Sequence, residues 1–161
     1  MTKEKLGELI LGSERQLYAT AKTILYNDQD CADAIQETIV KAFSKIHTLD
    51  KDKYAKTWLI RILINECYNI LRNESRQISL KDREGVFKAQ EEEKSDFSEL
   101  YRAINQLKEE LRLPVILYYF DDFSAREIAR VLGITEGAVQ KRLARARLKM
   151  RDELQKREVF I

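Results

Sequence analysis

The 161-residue chain is 44% hydrophobic and 35% charged, which supplies packed cores and solubility, and its length fits one mid-sized domain or two small ones. Five glycines and one proline, Pro114, leave little material for hairpins and favour an all-helical fold. No apolar run approaches the roughly 20 residues of a membrane span, and Met1-Thr2-Lys3-Glu4 lacks the apolar core of a secretory leader. Cys31, Cys67 and the single His47 have no zinc-ligand spacing, so a cytoplasmic chain with reduced cysteines and neither metal nor cofactor is expected.

In chain order, Leu17, Ala21, Ile24 and Leu25 recur at helical spacing and predict a first helix over about 14–25. Asn27-Asp28-Gln29-Asp30 reads as a turn into a second helix over 31–46. Its stripe of Ile35, Ile39, Ala42, Phe43 and Ile46 is expected to face the core. After a charged loop at 50–53, a third helix over about 54–73 has Trp58, Leu59, Ile62, Leu63, Cys67, Ile70 and Leu71 on its predicted buried side. Three helices of this length can make one small bundle.

From Arg76 to about Asp96 the apolar periodicity collapses. Glu91-Glu92-Glu93-Lys94-Ser95-Asp96 is too charged to bury, and the stretch reads as a flexible acidic linker. Periodicity returns with Phe97, Leu100, Ile104 and Leu107. The run over 111–120, with Val115-Ile116-Leu117-Tyr118-Tyr119-Phe120, has strand propensity. It is assigned as a buried helix because the chain offers no partner strand. The expected division is 1–75, a linker over 76–97, and 98–161.

Ser124 with Glu127 three residues on is a capping-box pattern. Ile128, Ala129 and Leu132 give the helix that follows an inward face, Gly133 ends it, and Thr135 caps the next, whose buried side is Val139 and Leu143. A small alanine, then a glycine four residues on, then Ile134 and Val139, is the helix-turn-helix arrangement. Net charge is only +2, but residues 124–161 hold 10 Lys/Arg against 5 Asp/Glu, while residues 81–123 hold 7 against 11. Recognition helices read bases with their first residues and grip phosphates farther along. Lys141, Arg142, Arg145, Arg147, Lys149 and Arg151, set against the single acid Glu136, therefore point to DNA. Gly137 and Ala138 are small enough for the backbone to approach a groove wall.

The segment over 107–148, LKEELRLPVILYYFDDFSAREIARVLGITEGAVQKRLARARL, resembles the promoter-binding region 4 of bacterial sigma factors, specifically the extracytoplasmic-function class. DAIQETIVKAFSKI over 33–46 and KTWLIRILINECYNILR over 56–72 resemble region 2 of the same class. The resemblance implies two helical bundles, the C-terminal one with a helix-turn-helix, in an alternative sigma factor serving a stress or envelope response. Implied partners are core RNA polymerase (largest-subunit clamp helices and flap region), promoter DNA and an anti-sigma protein, with the free chain monomeric.

By the same resemblance, Asp33, Gln36, Glu37 and Lys41 dock on the clamp helices. Tyr54, Lys56, Trp58, Arg61, Asn65, Asn69 and Arg72 hold the melted −10 element. Thr135, Glu136, Gly137, Gln140, Lys141, Arg142 and Arg145 read the −35 element. Spacing alone puts Arg61, Asn65, Asn69 and Arg72 on one helical face, suited to single-strand contacts. For Trp58 a core role with partial exposure is favoured, with base stacking as the alternative. Departures from the family pattern are Ile64 and Asn73 in place of basic residues, Ala55 in place of an aromatic and Lys108 in place of a proline. The competing readings are a stand-alone, dimeric helix-turn-helix regulator and a helical adaptor. No nucleophile–base set, carboxylate pair or phosphate loop suggests an enzyme.

Overall fold

The computed structural model describes residues 1–74 and 98–159, and among them every regular element is helical, with no strand. The linker read over 76–96 lies outside the described residues. The chain divides into two compact units, Met1–Leu80 and Lys81–Ile161.

The first unit holds α1 (Lys3–Gly12), α2 (Glu14–Ile24), α3 (Asp28–Ser44) and α4 (Ala55–Glu74), with single 3-10 turns at Ile46–Thr48 and Asp52–Tyr54. The sequence reading did not anticipate α1. Thr2 caps it by accepting from the Lys5 amide, and Leu6 and Ile10, one turn apart, bury its inner side. In α2, Leu17, Ala21 and Ile24 are buried, as is Leu25 just beyond, in agreement with the predicted helix. Asn27 caps α3 through the Asp30 amide at 2.8 Å.

α2, α3 and α4 pack on one another, and there the phase of the predicted stripe is corrected. The fully buried side of α3 is Cys31, Ala34, Thr38 and Ala42, whereas Ile35, Ile39, Phe43 and Ile46 are only half-buried. Small side chains allow close helix approach, since interaxial distance follows side-chain size at the contact. Thr38 meets burial by donating its hydroxyl to the Ala34 carbonyl at 2.7 Å. The core side of α4 is likewise rotated. Leu59, Leu63 and Cys67 are buried as expected, but Ala55, Ile60 and Ile64 join them. Trp58, Ile62, Ile70 and Leu71 are half-buried.

The second unit holds α5 (Ser98–Asn105), α6 (Glu109–Tyr119), α7 (Ala125–Leu132) and α8 (Glu136–Val159), with α8 packing against each of the other three. The run assigned as a buried helix over 111–120 is helical as far as Tyr119 and buried over 111–117, including Pro114 and Arg112. Tyr118, Tyr119 and Phe120 are exposed, which corrects the expected burial of its last turn. Arg112 donates from Nη1 to the Asn105 and Leu107 carbonyls, each at 3.4 Å, closing the end of α5. No helix among the described residues is long and apolar enough to cross a membrane.

Candidate nucleic-acid and partner-binding surfaces

The turn between α7 and α8 is built as its sequence implies. Ser124 Oγ accepts from the Glu127 amide at 3.1 Å, and Glu127 Oε1 accepts from the Ser124 amide at 3.0 Å. That reciprocal pair turns the one acidic side chain of α7 back on its own cap. Arg126 and Arg130 remain exposed. Gly133 closes α7 with φ 69° and ψ 34°, the left-handed region that glycine enters without a Cβ penalty. Ile134 donates its amide to the Ala129 carbonyl at 3.1 Å, and Thr135 Oγ1 then accepts from the Ala138 amide at 3.0 Å to start α8.

Val139, Leu143 and Ala146 are completely buried and fix which side of α8 turns outward. Gly137, Gln140, Lys141, Ala144 and Arg145 are exposed, as is Glu136. Arg142 is half-buried at the flank rather than on the outward side where Arg145 stands. Thr135 is exposed, with its hydroxyl engaged in the cap. Leu148, at 58% exposure, shares the outward side with Lys141 and Arg145. The sequence reading assigns it no side of the helix. Its offset of five from Leu143, where buried positions recur at three, four and seven, is the signal that could have placed it outside.

In the first unit α4 carries the other polar surface. Arg61, Asn65 and Arg72 are exposed, Asn69 is half-buried, and Arg72 donates to the Asn69 side-chain oxygen. Trp58 precedes them at spacings of three, seven, eleven and fourteen, so it belongs to this face. The Trp58 ring is half-buried beside the polar row, the partial exposure that its core assignment allows. Tyr54 is exposed in the preceding 3-10 turn with the Lys53 ammonium 5.0 Å from its ring centroid, and Lys56 is half-buried. Ile64, where the family often carries a basic residue, is buried.

On α3, Asp33, Gln36 and Glu37 are exposed, bordered by Val40 at 62% exposure. Lys41 turns the other way. Its ammonium donates to Glu66, a carboxylate only 8% exposed on α4, and that hydrogen bond holds the lysine above its ordinary range. The structure thus brings Asp33, Gln36 and Glu37 together at an acidic edge and ties Lys41 into the α3–α4 contact. Among the described residues no group of three or more His, Cys, Asp or Glu side chains is placed to hold a metal ion.

Residues 9–77 match Sigma-70 region 2, and residues 97–150 match Sigma-70, region 4. The chain is similar to the RNA polymerase sigma factor SigV of Bacillus subtilis, 29% identical over 160 residues, which cover 98% of this chain and 96% of that protein. It is also similar to the ECF RNA polymerase sigma factor SigM of Mycobacterium tuberculosis, 28% identical over 145 residues, 89% of this chain and 74% of that one. Among solved structures, the sigma factor RpoE in complex with the anti-sigma factor NepR from Bartonella quintana is 27% identical. It aligns with a TM-score of 0.76 over 96% of this chain and 98% of that one.

Proposed function

The chain belongs to the sigma-70 family as a sigma factor of the extracytoplasmic-function class, and we propose that it works by binding core RNA polymerase and carrying it to promoters that its two units read separately. The observation that carries this reading is the pairing of two unlike surfaces in one chain. α8 offers a basic outward side suited to the major groove of a duplex. α4 offers amides, cations and an accessible indole suited to single strands.

On this reading α8 enters the duplex −35 element, with Gln140 and Lys141 reading base edges while Arg145 and Arg142 grip phosphates. Glu136, Gly137 and the Thr135 cap lie at the groove-entering end. The α4 row of Arg61, Asn65, Asn69 and Arg72 holds the melted −10 strand, and Trp58, Tyr54 and Lys56 frame its start. Asp33, Gln36 and Glu37 dock on the clamp helices of the largest polymerase subunit, and Lys41 serves that surface from beneath by holding α3 on α4. The second unit meets the flap region.

Energetics explain the need for polymerase. Opening about ten base-pair steps costs roughly 14 kcal/mol, at about 1.4 kcal/mol per step. A captured base returns only about 1–3 kcal/mol by stacking, so a domain holding a few bases biases opening and cannot sustain it. The free chain acts as a cytoplasmic monomer. The NepR complex of the similar RpoE supports an anti-sigma protein as the partner that holds it inactive.

The test is transcription by core polymerase over a pool of genomic promoters, with and without the chain. The expected result is initiation at a small promoter set only when the chain is present. Duplex binding without polymerase, as a dimer and with no initiation, would instead establish the stand-alone regulator.

A further inference from the structure

Arg147 lies in the most basic stretch of the chain, and a count of charges would give it a phosphate. Its surroundings differ from those of its neighbours. The guanidinium Nε donates to the Tyr119 hydroxyl at 2.9 Å. Its central carbon stands 5.8 Å from the Tyr118 ring centroid and 6.0 Å from that of Tyr119. The two rings meet edge to face at 4.9 Å and 76°. Both tyrosines are exposed at the last turn of α6, so no burial demand explains the cluster. The contact joins α6 to α8 at the surface.

Helix geometry sets the consequence. Two residues beyond Arg145, α8 has turned by roughly 200°, so Arg147 leaves the outward side that Lys141 and Arg145 share. Seven residues beyond Gln140, it returns almost to the same line, on one flank two turns away. We propose that Arg147 is a positioning residue for promoter reading and not a phosphate ligand: Tyr118 and Tyr119 clasp it to α6, and the clasp fixes the roll of α8 that aims Gln140. This rests on the reading that α8 enters the −35 groove.

The experiment uses holoenzyme carrying Arg147→Ala, Arg147→Lys, Tyr119→Phe, Gln140→Ala or Arg145→Ala, measured on a −35 library at several salt concentrations, with core affinity measured alongside. Arg145→Ala lowers the salt slope by about one unit, as loss of a phosphate contact should. Arg147→Ala and Tyr119→Phe keep the wild-type slope. They weaken −35 binding roughly three- to tenfold, the arginine change more, as loss of a cation–π contact and one hydrogen bond allows. Both also blunt discrimination at the base pairs where Gln140→Ala blunts it. Arg147→Lys keeps the charge but lacks the planar fork and the Nε donor, so it does not restore binding. Four results overturn the clasp: a slope reduced by Arg147→Ala, rescue by lysine, unchanged binding and preference in Arg147→Ala, or loss of core affinity in either clasp variant. Failure of the groove reading is separately visible. Arg145→Ala would then keep its slope and Gln140→Ala its preferences, results that involve neither clasp residue.

Discussion

Gly137 stands in the first turn of α8, where glycine costs helix stability relative to alanine. Nothing inside the unit requires it. A Cβ there would meet only the Thr135 hydroxyl, at 4.0 Å, and the backbone is not left-handed as it is at Gly133. A residue that the fold does not need, on an exposed side facing a proposed groove, is suited to close approach by something else. Gly137→Ala is therefore expected to raise the melting stability of the free chain by about 0.5–1 kcal/mol while weakening −35 binding roughly tenfold, the size of one mismatched base pair. Thermal unfolding and holoenzyme binding together check it, and equal or tighter binding by the alanine variant removes Gly137 from the interface. Lys41 is the complementary case, an ion-pair partner whose loss strands a nearly buried Glu66 carboxylate. Lys41→Met should cost about 1–3 kcal/mol of first-unit stability. Because the hydrogen bond to Glu66 raises the lysine pKa above 10.5, its contribution is complete below that value and lost as pH rises through the folded pKa. The gap between wild type and Lys41→Met should accordingly narrow above about pH 10.5, and a gap that widens there contradicts the pairing.

At the scale of helices, α3 shows how much function depends on phase. Its acidic edge of Asp33, Gln36 and Glu37 is exposed because small residues, and not the large aliphatic stripe, turn inward. Gln36→Lys with Glu37→Lys reverses the charge of that edge without touching the core. Core polymerase affinity should fall by tenfold or more, since like charges across an interface cost several kcal/mol, with helicity by circular dichroism unchanged. Unaltered core affinity would move the docking surface off α3. The same helix marks what the sequence could and could not disclose. The 124–143 stretch was legible to single residues because the capping box, the left-handed glycine and the Thr135 cap are local devices whose chemistry is written in adjacent positions. The inward phase of α3 is decided by how closely α4 approaches, which no one-helix pattern contains. Trp58 is settled by the same kind of contact: an aromatic at helical spacing suggests the core with partial exposure, and α4 buries Ala55 and Leu59 while leaving the indole half-buried at the edge of the polar row. α1 was missed because Leu9, Ile10 and Leu11 are consecutive and Gly7 and Gly12 weaken the helical signal, so Leu6 and Ile10 do not stand out as a stripe.

At the scale of the whole molecule, each unit closes its own core, the first around Leu17, Leu59 and Leu63 and the second around Leu117, Ile128 and Leu143. Units of this size stand near the lower limit of independent stability, so a single buried charge should be enough to unfold one. Val139 is the place to put it. The side chain is fully buried on α8, next to the turn, so an aspartate there would carry its charge out of water. The chain also contains a built-in reporter, because its one tryptophan, Trp58, belongs to the first unit. Val139→Asp is expected to remove the far-ultraviolet dichroism contributed by α5 to α8 at 25 °C. Trp58 emission and its own thermal transition should stay at wild-type values. In function the variant should still associate with core polymerase through α3, yet lose −35 binding at every promoter regardless of sequence, unlike Gln140→Ala, which changes preference alone. A Trp58 transition that shifts together with the loss of helix would show instead that the two units fold as one cooperative body, and the separate reading of two promoter elements would then need a different physical basis.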